Sequence, residues 1–194
     1  MTTPGNRITL EKLKRRHHPV IVVAVFGFVS GGIAIGILAW TAHLAQSPLV
    51  FPSLGPTAFL LFYHPLNAPA SPRNALLGHL IGVSAGWVSL CVFGLVHAPT
   101  PPLADITWAR AGAATLSIAL TIGTMEFFDV PHPPAGATTL IVSLGLMPHL
   151  WQIGFILLAV IALLVLGWAI NHSVGIPYPL WRPHRPDYFP PRLP

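Results

Sequence analysis

The sequence predicts an all-α polytopic membrane protein with four long spans and two short proline-started helices, arranged as a duplicated three-segment unit. Two observations predict the class. Between Arg16 and Arg182 the only Asp, Glu, Lys or Arg residues are Arg73, Asp105, Arg110, Glu126 and Asp129, which leaves long uncharged runs. Charged residues make up 8% of the 194-residue chain and hydrophobic residues 53%, whereas a soluble domain carries about 25% charge. Runs of about 20 apolar residues span the roughly 30 Å hydrocarbon layer, so the solvent is lipid. A third observation, a match between the two short segments, predicts the duplication.

Residues 1–18 form a basic N-terminus. The net charge of +5 does not point to nucleic acid, because eight of the ten basic residues lie at the two ends: Arg7, Lys12, Lys14, Arg15 and Arg16, then Arg182, Arg185 and Arg192. Cations beside a span fix topology by staying in the cytoplasm. Both termini are therefore expected there, in a bacterial inner membrane, and the number of crossings should be even. The apolar stretch that follows is too long for the core of a secretory signal and lacks a clean cleavage pattern, so it reads as a retained first span.

Four segments are long enough to cross alone: about 20–45, 75–97, 107–128 and 151–171. Together they bound a transmembrane region at 19–171, with repeats at about 20–97 and 107–171. Trp108, Trp151 and Trp168 fall at span ends, where amphipathic rings favour the headgroups. Cys91 lies within an apolar run and has no second cysteine to pair with, so it reads as a packing residue. Glycines four apart, namely Gly27 and Gly31, Gly32 and Gly36, and Gly78, Gly82 and Gly86, read as faces for close helix contact. That ladder places the segment 75–97 at the centre. Homo-oligomerisation is compatible with the ladders but not required by them. From 172 to 194 the chain is proline-rich and cannot propagate a helix, so an extended cytoplasmic tail is expected there, a candidate for disorder.

Two shorter apolar stretches, 49–63 and 133–147, lie between the long ones. A shift of 81 residues lays Pro52 on Pro133, Gly55 on Gly136, Thr57 on Thr138 and Gly31 on Gly112. If the short stretches cross, the halves are inverted and the spans number six. If they dip and return, the halves are parallel and the spans number four. Six is preferred, since each stretch with its flanks reaches about 18 residues, near the length of a span.

Candidate site residues follow from the short stretches. Pro133 and Pro134 suit the first turn of a helix, and a helix start carries unpaired N–H groups and partial positive charge, which together favour anions. Ser53, Gly55 and Thr57 offer the same arrangement in the first half, with Gly136, Thr138 and Thr139 in the second. Prolines that merely set helix angles and threonines bonded back to their own helices are the plainer reading, and only the matched pair favours a solute pathway. Arg73 and His79 adjoin the string Ser71-Pro-Arg-Asn-Ala-Leu-Leu-Gly-His. A lone intramembrane charge demands a partner or the interface, so a polar cluster of Arg73, His79, Glu126, Asp129 and His132 is expected. The ten histidines show no His-x-x-x-His or similar spacing. No metal and no other cofactor is expected.

The strings His132-Pro133-Pro134-Ala-Gly136-Ala-Thr138, Ser53-Leu-Gly55-x-x-Ala-x-Leu-Leu-Phe and Ser71-Pro-Arg73-Asn74-x-x-x-Gly78-His79 together resemble the HPP family of integral membrane proteins across about residues 19–171. Pro56 and Thr57 depart from the small residues of that pattern. The resemblance implies a transporter, with plastid and cyanobacterial relatives linked to nitrite. The expected function is thus a transporter or channel for a small anion such as nitrite, not an enzyme, with the lipid bilayer as its surroundings and no nucleic acid as partner. An intramembrane metal enzyme using His132, Glu126 and Asp129, or a non-transporting scaffold, are the alternatives. The anion reading requires that the two helix starts expose bare amide groups to a polar interior.

Overall fold

Apolar sequence in lipid must satisfy its backbone within each segment, which the helix does. The computed structural model describes residues 9–100, 106–147 and 149–183. Among them the regular elements are all helical: α1 Leu10–Arg16, α2 Pro19–Ala45, α3 Leu54–Tyr63, α4 Pro72–Val92, α5 Trp108–Phe128, α6 Ala135–Ser143 and α7 Leu150–Ser173, with a short 3₁₀ turn at Ala68–Ala70 before α4. α2, α4, α5 and α7 are long and apolar enough to cross a membrane. α3 and α6, at 10 and 9 residues, rise only about 15 Å at 1.5 Å per residue and reach half-way. The long helix starts lie within three residues of expectation. α4 stops at Val92, short of 97, because the chain turns at Gly94 with φ 66°.

Hydrogen bonds sort the helix ends into two groups. At one end, here the basic end, the Leu10 amide donates to Val174 O at 2.9 Å and the Arg73 amide to Trp181 O at 3.0 Å. The Arg73 guanidinium donates to Asp129 O at 3.0 Å, and the Asn171 amide to Leu61 O at 3.1 Å. This end therefore gathers α1, the start of α4, and the ends of α3, α5 and α7. At the far end the Arg110 guanidinium donates to Leu144 O and Pro99 O, each at 2.7 Å. This joins the loop after α4, the start of α5 and the end of α6.

The path follows directly. α2 runs away from the basic end, α3 returns to it, and α4 runs away again; α5, α6 and α7 repeat the pattern with opposite sense. α3 and α6 begin 81 residues apart, and α4 and α7 end 81 residues apart, the same register as the sequence match. The chain thus makes six traversals in two inverted halves, the short helices covering part of a traversal and the stretches 46–53 and 129–134 covering the rest.

α4 is the centre. A Cβ added at Gly78 would meet His132 Cβ at 2.6 Å, at Gly82 the Ala135 carbonyl at 2.7 Å, and at Gly86 the Thr139 carbonyl at 2.8 Å. The ladder lets the α6 backbone lie directly on α4, the close approach that small residues permit in lipid. The ladder on α2 behaves differently. Gly27, Gly31, Gly32 and Gly36 have nothing within 4 Å of an added Cβ, so they do not form the close contact their spacing suggested; Gly27 and Gly31 instead border an open groove between α2 and α3. Trp108 and Trp151 are largely exposed, as anchors would be.

The tail, expected to be extended and a candidate for disorder, is tied to the bundle in its described part. After a turn at Val174 and Gly175, residues 176–183 form no helix or strand and are anchored at Tyr178, which is buried and whose hydroxyl donates to Ala70 O at 2.6 Å. Burial pushes the Tyr178 phenol above its ordinary pKa. The reason is supply and demand of hydrogen bonds. The start of α4 needs an acceptor for the Arg73 amide, and the non-helical strap supplies a free carbonyl. The rest of the expected tail, residues 184–194, lies outside the described residues, as do residues 1–8 of the basic N-terminus.

Candidate functional site

His79 lies seven residues into α4, about 10 Å from the helix start at 1.5 Å per residue, and is fully buried. The glycine one residue before it admits His132 from the link between α5 and α6. The two rings meet edge to face with centroids 4.8 Å apart, and their Nε2 atoms are 3.2 Å apart. Thr57, in the first turn of α3, approaches His79 Nε2 at 3.0 Å and His132 Nε2 at 3.3 Å. Thr138, in the first turn of α6, lies 2.7 Å from His79 Nδ1. Thr57 and Thr138 are the pair that the 81-residue shift superimposes, so His79 is held between equivalent threonines of the two halves.

The network assigns its own protons. His132 Nδ1 is 2.7 Å from the Pro69 carbonyl, which can only accept, so Nδ1 carries hydrogen and Nε2 of the neutral ring is an acceptor. His79 Nε2–H then donates toward His132 Nε2 and the Thr57 oxygen. His79 Nδ1 accepts the Thr138 hydroxyl, and the Thr57 hydroxyl donates to Ser53 O at 3.0 Å. Each of the four side chains is satisfied in this single arrangement. Two hydroxyls at the starts of the same short helices are not: Ser53 Oγ, at the α3 N-cap, and Thr139 Oγ1, the residue after Thr138 in sequence, are buried and without a partner. Such groups in an apolar surround cost about 1–3 kcal/mol each.

Other candidate residues fall elsewhere. Arg73 is half-buried at the basic end, where it donates to Asn74 Oδ1 at 2.9 Å and to the Asp129 backbone. Glu126 and Asp129 are exposed. The expected five-residue polar cluster is therefore corrected to the pair His79 and His132, joined by Thr57 and Thr138. Asp129 ends α5 in the left-handed region at φ 52°; its backbone carbonyl, not its carboxylate, meets Arg73. Gly55 is exposed on the α2–α3 groove, and Gly136 packs near Ile118 of α5. Neither glycine reaches the histidines.

The bare-amide cradle is also corrected. The amides of Ala135, Gly136 and Ala137 donate to His132 O, Pro133 O and Pro134 O at 3.1, 2.9 and 3.1 Å. A tight turn through the prolines absorbs the donors that a helix start would leave free. In α3, Leu54 donates to Phe51 O at 3.0 Å, and Pro56 has no N–H to offer. None of the cavities described is lined by His79, His132, Thr57 or Thr138. The cluster is closed off in this conformation. Among the described residues no three His, Cys, Asp or Glu side chains gather as a metal-ligand group.

Arg110, Asn74, Asn171 and Tyr178, none of them among the site residues expected from the sequence, are all buried and all bonded to backbone carbonyls. A lone Asn in a span, or an Arg in its first turn, was the available signal, since each is expensive in lipid without a partner.

Residues 16–179 match the transmembrane region of the HPP family. The chain belongs to the HPP family. The match covers most of this HPP protein and extends past α7 into the packed strap that holds Tyr178. Two transmembrane proteins of Dictyostelium discoideum are similar to it. One is 32% identical over 142 residues, covering 71% of this chain and 46% of that protein. The other is 33% identical over 89 residues, covering 46% of this chain and 25% of that protein. The HPP chain thus spans less than half the length of these relatives. No solved structure matches.

Proposed function

We propose that this HPP protein is a transporter for a small monovalent anion, nitrite being the species the family resemblance implies, with the buried His79–His132–Thr57–Thr138 cluster as its solute site. The observation that carries the reading is the convergence of two half-helices, one from each inverted half, on ionisable side chains deep in the bundle. Inverted repeats with discontinuous helices meeting inside the membrane are the architecture of alternating-access carriers. An ionisable residue at depth is costly unless it serves a function. The closed cluster is then the occluded state, and rocking of the two halves opens it to either side. The unpartnered hydroxyls of Ser53 and Thr139 are the donors that an anion would satisfy. The basic end, with α1 and the strap, faces the cytoplasm of a bacterial inner membrane.

A second reading, a non-transporting membrane scaffold, is favoured by one observation: the amides at the start of α6 are already bonded and the cluster residues are fully buried. Reconstituted vesicles separate the two. The carrier reading expects saturable nitrite uptake above protein-free vesicles. Thr138→Val, which keeps the shape of the side chain but loses a hydrogen bond of about 1–1.5 kcal/mol, should lower that uptake about tenfold. Wild-type vesicles no leakier to nitrite than protein-free ones would favour the scaffold.

A further inference from the structure

The neutral network has one place for an additional proton. His132 Nδ1–H is committed to the Pro69 carbonyl at 2.7 Å, and His132 Nε2 faces the N–H of His79 Nε2 at 3.2 Å. The remaining basic nitrogen is His79 Nδ1, which accepts from Thr138 at 2.7 Å. A proton added there forms an Nδ1–H bond that donates to the Thr138 oxygen, and the Thr138 hydroxyl hydrogen is released to point at a ligand. No other covalent bond forms or breaks. The pair changes from neutral to +1.

We propose that His79 and His132 take up one proton with each anion, so that the protein is a proton–anion cotransporter; this rests on the carrier reading above and specifies its coupling ion. The charge environment supports it. On α4 the other titratable groups are Arg73 and Cys91, on α3 and just beyond it Tyr63 and His64, in the α5–α6 link Asp129, on α5 Arg110 and Glu126, and on α7 His172. α6 has none. Among the described residues none of these shares a hydrogen bond or ion pair with either ring; the rings bond only to each other, Thr57, Thr138 and the Pro69 carbonyl.

An imidazolium here therefore has no resident counter-charge, and an anion here would have no resident cation. Either ion alone bears the cost of an unpaired buried charge. Bound together they are a neutral pair, so each favours the other, and the coupling is reciprocal by linkage. The protonated state also supplies a donor, the freed Thr138 hydroxyl. Proton binding thus builds the anion site at the moment it is needed.

The test uses vesicles containing the full chain and an internal pH dye, clamped at zero potential by valinomycin and equal potassium. Nitrite is the probe, and protein-free vesicles correct for leakage of nitrous acid. Entry of one proton per nitrite, together with nitrite accumulation driven by an inward proton gradient from equal nitrite on both sides, is the expected result. His79→Gln, which can bond to Thr138 but binds no proton, should abolish the gradient-driven accumulation. The wild-type measurements stand alone should that variant fail to fold. Protein-dependent nitrite uptake with no accompanying proton, and no accumulation on a proton gradient, would overturn the coupling while leaving the carrier reading intact. Absence of any protein-dependent nitrite uptake would overturn both.

Discussion

Gly82 shows how a single missing atom positions the cluster. An added Cβ there would lie 2.7 Å from the Ala135 carbonyl, which belongs to backbone and cannot rotate away. Gly82→Val should therefore force α6 off α4 and lower stability in detergent by about 1–3 kcal/mol, the range for overpacking a filled interface. A thermal melt followed by size-exclusion or dye binding would show it. Gly32 is the matched control: nothing lies within 4 Å of its added Cβ. Gly32→Ala should leave the melt unchanged or raise it, since alanine exceeds glycine in helix propensity by about 1 kcal/mol. Equal destabilisation by the two changes would contradict the packing described. The sequence marked both ladders alike because spacing by four identifies a small face but does not say what covers it.

Each half-helix ends on a side chain from a long helix. Arg110 of α5 donates to the Leu144 carbonyl just past α6, and Asn171 of α7 donates to the Leu61 carbonyl in the last turn of α3 as well as to Gly167 O at 2.8 Å. The final carbonyls of a helix lack partners in their own ladder, and inside a bilayer water does not supply them. Arg110→Met and Asn171→Leu keep bulk but withdraw the donors, and each is expected to destabilise the protein by about 1–3 kcal/mol. Combined, the losses should add, because the two pins hold opposite ends of the bundle and share no partner. Marked non-additivity in melts of the double variant would mean that the two ends are coupled. At the helix starts the elements themselves overturned an expectation. The prolines did place a helix start after Pro134, as their chemistry requires, but the turn they make consumes the amides that were expected to be free.

The six traversals predict sidedness. Asn67 follows α3 at the basic end and is exposed, as is Glu11 on α1, whereas Thr100 follows α4 at the far end and is exposed. In a Cys91→Ala background, Glu11→Cys and Asn67→Cys should react with an impermeant thiol reagent from the same side of the membrane, and Thr100→Cys from the other. Labelling of Asn67→Cys from the side opposite to Glu11→Cys would mean that α3 dips and returns, and the inverted relation of the halves would be lost. That relation gives the carrier reading its two equivalent ways of opening.

Membrane class, the four long helices, the central place of α4 and the internal repeat were all legible in the residues, because each rests on local chemistry: absence of charge, length of apolar run, glycine spacing and proline placement. The histidines and threonines of the cluster were legible as candidates for the same reason, standing next to those local signals. Which candidates meet was not. Glu126 and Asp129 lie within six residues of His132, yet the left-handed turn at Asp129 leaves both carboxylates outside. His79 is 53 residues from His132, and the gap at Gly78 brings the rings together. Hydrogen-bond partnership across the bundle depends on the relative rotation and depth of helices distant in the chain. Only packing determines those, and so only the folded molecule decided that the polar centre is a closed pair of imidazoles rather than an open cradle of amides.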